Sequence, residues 1–285
     1  MTLEQAVCRI DQAAKQKLTE LDLSGMGLKE LPQQIEKCTQ LESLVLGKWD
    51  KYKITSMGNQ LTKFPDSIFQ LTNLKILNFS HNQITSIPDY LGQLLNLSQL
   101  DLGSNQIAEI PDYLGQLSNL TQLDLSGNKI TYIPEALRLL SNLTQLALGG
   151  NQITYIPEVL GLLSNLTRLC LGANQITSIP EALGQLSNLR DLFLGHNHIT
   201  SIPEALGQLS NLRRLYLSYN EISYIPETLG RMSNLASLYL DCNHITCIPE
   251  TLRDLPKLSF LNLTDNPIRD IPKGIRNMKR VKIIQ

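Results

Sequence analysis

The sequence has little of what enzymes, membrane proteins and secreted disulfide proteins depend on. Aromatic residues make up only 5% of its 285 residues, and Trp49 is the single tryptophan. The five cysteines are scattered and odd in number, which is typical of free thiols in a reducing compartment. No basic stretch followed by a long apolar run opens the sequence, so neither a signal peptide nor a membrane span is predicted. These absences favour a cytoplasmic location.

Motifs for catalysis and cofactor binding are also missing. The nucleotide-binding patterns GxxxxGK[ST] and GxGxxG and the metalloprotease pattern HExxH do not occur. Cys242, His244 and Cys247 are close in sequence, but a zinc site usually needs four ligands at tight spacing. We therefore expect a non-enzymatic protein with no catalytic residue, no metal site and no cofactor.

Charge of either sign is not in excess. The formal net charge is −1, which gives no general attraction to nucleic acid or to a membrane surface. We expect neither as a partner.

What the sequence does contain is an asparagine that recurs every 23 residues. The recurring residues are Asn82, Asn105, Asn128, Asn151, Asn174, Asn197, Asn220, Asn243 and Asn266. A stack of like coils requires this regularity, because each coil offers its neighbour the same buried amide. Around these asparagines the pattern LxxLxLxxNxI appears, as in Leu120 to Ile130, with Phe79 in place of the third leucine before Asn82.

This pattern is the signature of the leucine-rich repeat superfamily. Eleven units begin at Leu18, Leu41, Leu74, Leu97, Leu120, Leu143, Leu166, Leu189, Leu212, Leu235 and Leu258. The sequence predicts an α/β solenoid of the horseshoe type, with a parallel sheet on the concave side. Each unit also repeats a proline. Proline is tolerated at the start of a helix but not in its interior. Short helical or 3₁₀ turns are therefore predicted on the convex side.

The ends and one insertion depart from the repeat. Residues 1–17 are predicted to form an N-terminal helical cap, and 18–270 the solenoid. The second unit is ten residues too long, which places an insertion loop at 47–58 and makes Asn59 its recurring asparagine. Residues 271–285 are basic and begin a further strand at Val281. They are either a cap or a partial repeat of a longer protein.

Three features carry a closer resemblance. They are the repeated Ile-Pro-Glu-x-Leu-Gly-x-Leu, the opening from Gln12-Ala-Ala to Leu21-Asp-Leu-Ser-Gly with Leu31-Pro, and Leu46-Gly-Lys-Trp-Asp at the insertion. In these the chain resembles the N-terminal leucine-rich repeat domain of bacterial, cyanobacterial-type Roco proteins. Roco proteins place such repeats before a Ras-like GTPase and a dimerising COR domain. The resemblance implies a domain for partner recognition or regulation, with the GTPase elsewhere in the full-length chain.

The outward residues of the predicted strands are the part of the repeat that varies. Phe193, Tyr216 and Tyr239 occupy one position in successive units, so their side chains should form a contiguous ladder. Arginines lie in the neighbouring positions. Exposed aromatic residues beside arginines are typical of interface hot spots. The alternative is that aromatic stacking only stiffens the sheet, to which clustered arginines would add nothing.

We therefore predict a protein-binding surface on the concave face. Its residues are Arg168, Arg190, Phe193, Arg213, Arg214, Tyr216, Tyr219 and Tyr239. Trp49 and Tyr52 in the insertion form a second candidate contact. Equally, Trp49 could fold back over an apolar edge near the cap.

The function favoured by these observations is a protein-interaction scaffold that binds a segment with acidic and apolar groups. Two alternatives stay open. One is a regulatory fragment of a multidomain Roco GTPase. The other is a bacterial secreted or injected effector.

Overall fold

The computed structural model describes residues 3–50 and 55–284, which fall into two compact units, Met1–Ile130 and Thr131–Gln285. Both units repeat one coil. A three-residue strand leads into a turn at the recurring asparagine, an extended stretch ends in proline, and a five-residue 3₁₀ helix returns the chain to the next strand. Tyr52, a predicted loop contact, lies outside the described residues.

The first unit begins with a helix and continues as coils. Its elements are α1 (Leu3–Gln16), β1 (Glu20–Asp22), β2 (Ser43–Val45), β3 (Trp49–Asp50), β4 (Thr55–Ser56), β5 (Ile76–Asn78), β6 (Gln99–Asp101) and β7 (Gln122–Asp124). Its 3₁₀ helices are Gln33–Lys37, Asp66–Gln70, Asp89–Gln93 and Asp112–Gln116. β1, β2, β5, β6 and β7 pair in that order, all parallel. β3 and β4 form a separate antiparallel pair inside the insertion.

Helix α1 lies against the first coil. Ala6, Ile10 and Ala13 are fully buried at helical spacing, while most other positions of the helix are exposed. The Gln40 amide donates to the carbonyl of Ala13 at 3.2 Å, and the N–H of Leu18 donates to the same carbonyl at 2.9 Å. An apolar stripe of this kind covers the end of the leucine stack.

The second unit repeats the coil without insertion. Its elements are β8 (Gln145–Ala147), β9 (Arg168–Cys170), β10 (Asp191–Phe193), β11 (Arg214–Tyr216), β12 (Ser237–Tyr239), β13 (Phe260–Asn262), α2 (Lys273–Arg276) and β14 (Lys282–Ile284). Its 3₁₀ helices are Glu135–Leu139, Glu158–Leu162, Glu181–Gln185, Glu204–Gln208, Glu227–Arg231 and Glu250–Asp254. Strands β8 to β14 pair in sequence order, all parallel.

Proline sets the start of each 3₁₀ helix. Pro180 has an extended backbone, with φ −70° and ψ 146°, and the helix Glu181–Gln185 follows directly. Proline has no N–H to donate and a fixed φ, so it ends the extended stretch at low cost. Leu183 and Leu186 are fully buried, and the N–H of Leu186 closes the turn on the carbonyl of Leu183. The predicted solenoid of parallel strands and 3₁₀ turns is thereby confirmed.

The recurring asparagine explains the 23-residue period. The Asn174 amide donates to the carbonyl of Leu148 in the preceding coil and to that of Leu171 in its own, both at 3.0 Å. Its Oδ1 accepts the N–H of Ile153 at 3.0 Å. Each carbonyl also accepts from the asparagine of an adjacent coil, whereas the buried N–H of Ile153 has Asn174 as its partner, so one side chain joins two coils. Asn59 plays the same part in the coil with the insertion, as predicted, since it bonds Leu23, Leu28 and Leu46.

Candidate protein-interaction surface

Four aromatic rings stack across neighbouring strands of the second unit. Phe193, Tyr216 and Tyr239 are aligned in the register of β10, β11 and β12. The ring centroids of Phe193 and Tyr216 are 4.5 Å apart, and those of Tyr216 and Tyr239 are 4.2 Å apart, both nearly parallel. Phe260 adds a tilted ring 4.8 Å from Tyr239. We call these four residues the aromatic column.

A charged pair lies beside the aromatic column. Arg214 binds Asp191 through two parallel hydrogen bonds, Nε to Oδ1 and Nη2 to Oδ2 at 2.8 Å. Arg214 and Tyr216 are the first and third residues of the same strand, β11. Burial, followed by the neighbouring Tyr216 hydroxyl, raises the pKa of the Tyr239 hydroxyl.

Arg168 lies at the other side of the same carboxylate. In the strand register Asp191 is opposite both Arg168 and Arg214. The Arg168 guanidinium instead lies over the Phe193 ring, 4.9 Å from its centroid, and its Nε donates to the Cys170 sulfur at 3.4 Å. A cation over a ring face is attracted by the ring's quadrupole. Arg168 thus caps the free face of the aromatic column.

Arg190 and Arg213 precede β10 and β11 and are neighbours. The N–H of Arg213 donates to the Arg190 carbonyl at 2.8 Å, and both side chains are exposed. Neither forms an ion pair with another residue in the part of the chain that the structure describes. Together with Arg168 and Arg214 they set four positive charges against the single carboxylate of Asp191. The surface around these arginines is therefore locally positive in a chain of net charge −1.

A second pair of rings lies three residues further along two of these coils. His196 and Tyr219 stack at 4.3 Å with an interplanar angle of 11°, and half of Tyr219 is exposed. Tyr219 belongs to the predicted site, whereas His196, Phe260 and Asp191 do not. The repeat register carried the signal for all three, because each lies on a strand or turn beside a predicted residue.

The structure brings all eight predicted surface residues together in one unit, on strands β9 to β12 and the residues beside them. We call this surface the strand face. Trp49 lies in the other unit, on β3, where its ring is 5.9 Å from that of His81. More than half of Trp49 remains exposed. It therefore both contacts the body of its unit and offers surface to solvent.

The remaining features of residues 3–50 and 55–284 concern metal ligands and helices that could cross a membrane. No group of three or more His, Cys, Asp or Glu side chains there could hold a metal ion. Cys242 contacts Asp265, with 3.6 Å between its sulfur and Oδ2. Within the same residues, every helix is too short or too polar to cross a bilayer.

Two family models match the sequence. The model described as "Leucine rich repeat" matches residues 96–153, 164–222 and 225–268. The model described as "Leucine Rich repeats (2 copies)" matches residues 72–115 and 141–185. The first alone covers more than half of the chain. A comparison with curated proteins gives no significant match.

Solved structures share the fold along nearly the whole chain. The ectodomain of the Arabidopsis thaliana receptor kinase GASSHO1/SCHENGEN3, bound to CASPARIAN STRIP INTEGRITY FACTOR 2, is 34% identical with a TM-score of 0.78. The match covers 90% of this chain and 31% of the ectodomain. Arabidopsis HAESA, bound to the peptide hormone IDA and the co-receptor SERK1, is 29% identical with a TM-score of 0.73 over 89% of this chain and 47% of HAESA.

A bacterial protein matches over most of both lengths. A leucine-rich repeat protein of Leptospira interrogans is 29% identical, with a TM-score of 0.65, over 96% of this chain and 86% of its own. The present chain thus spans less than half of the two plant receptors and most of the bacterial protein.

Proposed function

Because this chain belongs to the leucine-rich repeat family, we propose that it is a non-catalytic module that binds a protein partner through the strand face of residues 131–285. The observation that carries the proposal is the aromatic column beside two exposed arginines that form no ion pair with a described residue. The proposed contact residues are Arg168, Arg190, Phe193, Arg213, Arg214, Tyr216, Tyr219 and Tyr239.

The composition of this surface supports binding over a purely structural role. Tyrosine and arginine dominate the energetic centres of protein interfaces. The two hydrogen bonds between Arg214 and Asp191 and the stacking of the rings hold these side chains in place before a partner arrives, which lowers the entropic cost of binding. Stacking alone would account for the rings, but not for Arg190 and Arg213, whose like charges repel each other at neighbouring positions.

The same residues indicate the chemistry of the partner. Excess positive charge favours a segment with Asp or Glu side chains, because complementary charge steers association and suppresses wrong partners. The stacked rings turn their edges outward and favour apolar or aromatic side chains between those acids. GASSHO1 and HAESA were each solved with a peptide or protein ligand, which supports a polypeptide as the class of partner.

A peptide selection tests the proposal, because it requires no identified partner. A display library of random 12-residue peptides would be panned on the immobilised full chain, and selected peptides titrated by fluorescence anisotropy. We expect the peptides to be enriched in Asp and Glu. The double variant Tyr216→Ala/Arg214→Ala should bind them at least about tenfold more weakly.

The matched control is Tyr155→Ala/Arg231→Ala, which removes an exposed tyrosine and an exposed arginine away from the strand face. It should bind like the wild type. Equal binding by the wild type and the Tyr216→Ala/Arg214→Ala variant would remove the strand face from consideration.

A regulatory role beside a Roco GTPase is the second candidate. Its support is the sequence resemblance at residues 12–25 and at Leu46-Gly-Lys-Trp-Asp, together with a binding module of the kind such proteins carry. The full reading frame tests it: a GTPase and COR domain after residue 285 would support it, and a stop codon there would contradict it.

We place the protein in the cytoplasm, in keeping with five cysteines that form no disulfide. Recovery of the protein outside the cell would instead favour a secreted effector.

A further inference from the structure

The residue before each of the nine asparagines from Asn82 to Asn266 has a left-handed backbone. In the second unit φ is +67° at Gly150, +53° at Ala173, +56° at His196 and Tyr219, +53° at Cys242 and +55° at Asp265. Glycine adopts this conformation freely, whereas any side chain makes it less favourable. Gly150 therefore represents the relaxed choice, and the later coils depart from it.

Tyr219 departs furthest, because a bulky side chain is rare at such φ values, whereas histidine, as at His196, adopts them more often. Burial does not compensate, since both side chains are exposed. Their stacking on each other is the one contact between rings that they make in the described structure. Two large rings are thus displayed to solvent at positions where glycine would serve the fold better.

The surroundings of this pair are acidic. The Ser218 hydroxyl, next to Tyr219, donates to Oδ1 of Asp241 at 2.6 Å. Asp265 lies in the same turn of a later coil, 3.6 Å from the Cys242 sulfur. The arginines of the strand face lie before or at the start of their strands, whereas Asp241 and Asp265 follow the ends of theirs. The two ends of the strands therefore carry opposite charge.

We infer that His196 and Tyr219 form a second contact site for the partner, and that this site takes a basic side chain. The inference rests on the proposed function, which it deepens. A lysine or arginine is attracted to the ring of Tyr219 and to the nearby carboxylates of Asp241 and Asp265. Three residues separate Tyr216 from Tyr219, a span of at most about 11 Å. One extended segment can therefore place acids on the arginines and a basic residue on this pair.

The test uses glycine variants of the full chain and the peptides selected on the wild type. His196→Gly/Tyr219→Gly should weaken binding at least about tenfold. Its melting temperature should stay within about 3 °C of wild type, because relief of the left-handed strain offsets the lost stacking. Ala173→Gly, at the same position of the preceding coil, is the control and should leave binding unchanged.

A second arm tests the basic side chain. Peptides whose Lys or Arg is replaced by Gln should bind the wild type about tenfold more weakly than their parents. On His196→Gly/Tyr219→Gly the replacement should make no difference, because the two losses report one interaction. Equal losses on both proteins, or selected peptides without any basic residue, would overturn the inference.

The two proposals fail in different ways. Full binding by His196→Gly/Tyr219→Gly, with binding lost in Tyr216→Ala/Arg214→Ala, overturns the second site and removes Tyr219 from the first, whose other residues it keeps. A drop in melting temperature beyond about 3 °C would show a structural role for the pair and also overturn the inference. Peptides that bind equally to all variants contradict both proposals.

Discussion

At the scale of single residues, the buried asparagines satisfy backbone groups that a regular sheet edge would leave unpaired. Each turn leaves backbone groups of two coils pointing into the protein, where water cannot reach them. One amide side chain has two donors and an acceptor to offer, enough for several of these groups at once. No other side chain of that size offers two donors together with an acceptor. This accounts for the asparagine in each successive coil.

Replacement of one such residue should therefore be costly. Asn174→Ala leaves the N–H of Ile153 without its partner and removes one of the two amides that donate to the carbonyl of Leu148, the other being that of Asn151. Since one unsatisfied buried group costs about 1–3 kcal/mol and a lost hydrogen bond about 0.5–1.5 kcal/mol, we expect a loss of roughly 3 kcal/mol in the free energy of unfolding. Urea unfolding followed by circular dichroism measures it.

Asn188→Ala is the control, because Asn188 is exposed and its amide makes one bond, to the Ser164 carbonyl at 2.9 Å. It should cost about 1 kcal/mol or less. Equal losses in the two variants would contradict the role assigned to the buried amide.

A tyrosine of the first unit makes the stability of the protein fall as the pH rises through the alkaline range. The Tyr90 hydroxyl donates to the Phe64 carbonyl at 3.2 Å. Burial, and then the carboxylates of Asp66 and Asp89, raise its pKa from 10.0 to about 12. Because the folded pKa is the higher one, the unfolded chain loses this proton first. The stability that Tyr90 contributes is therefore present below pH 10 and lost as pH rises towards 12.

We expect the urea midpoint to fall between pH 9 and pH 11 more for the wild type than for Tyr90→Phe. The corresponding difference in the free energy of unfolding should stay below about 1 kcal/mol, because the Tyr90 side chain is partly exposed and solvent weakens the effect. Tyr155→Phe, at an exposed site, should behave like the wild type. If the urea midpoint of Tyr90→Phe falls with pH as much as that of the wild type, Tyr90 is not the cause of the pH dependence.

At the scale of elements, the close approach of neighbouring 3₁₀ helices depends on glycine. Gly184 lies in the helix Glu181–Gln185, and a Cβ added there would lie 2.5 Å from the carbonyl oxygen of Ala205 in the next helix. No real side chain tolerates that distance to backbone. The same position holds Gly161, Gly207 and Gly230 in neighbouring coils, each with a similar close contact.

Gly184→Ala should therefore destabilise the protein, although alanine is the better helix former. The two helices must separate, at a cost of about 1–3 kcal/mol. Gln185→Ala, at the exposed next position, should change stability by less than about 0.5 kcal/mol. Thermal unfolding of both variants decides the matter. An unchanged or higher melting temperature for Gly184→Ala would contradict the packing described here.

Strand register was the most predictable part of this protein, because period alone determines which residues are neighbours. It placed Phe193, Tyr216 and Tyr239 side by side and identified Asn59 across the insertion. Register could not decide which arginine binds Asp191, since the carboxylate is opposite both Arg168 and Arg214. Side-chain conformation decides that. The β3–β4 pair was likewise beyond prediction, because the insertion follows no repeat.

Phe260 shows another limit of reading by columns. It occupies the first position of its strand, while the other rings of the aromatic column occupy the third. Its long side chain nevertheless reaches Tyr239, at a tilt of 38°. Residues at the same position of successive repeats therefore predict the centre of such a surface better than its ends.

At the scale of the whole molecule, the proposed site is a local property that overall composition conceals. The net charge of −1 suggests no preference for any partner. Yet the unit of residues 131–285 carries four arginines around Asp191. In the other unit, Asp101 lies beside Asp124 on strands β6 and β7. Burial raises the pKa of Asp101, and the Asn78 amide donates to its carboxylate at 2.8 Å. The proposed site for an acidic peptide therefore lies within residues 131–285.

The most direct test is hydroxyl-radical footprinting of the full chain with and without a saturating selected peptide, read by mass spectrometry. Side-chain oxidation reports solvent access residue by residue. The account predicts that the peptide lowers oxidation of Tyr216, Tyr219 and Tyr239 several-fold and leaves Tyr155 and Tyr224 unchanged. Protection of Tyr155 and Tyr224, with Tyr216 and Tyr239 oxidised as in the free protein, would contradict it.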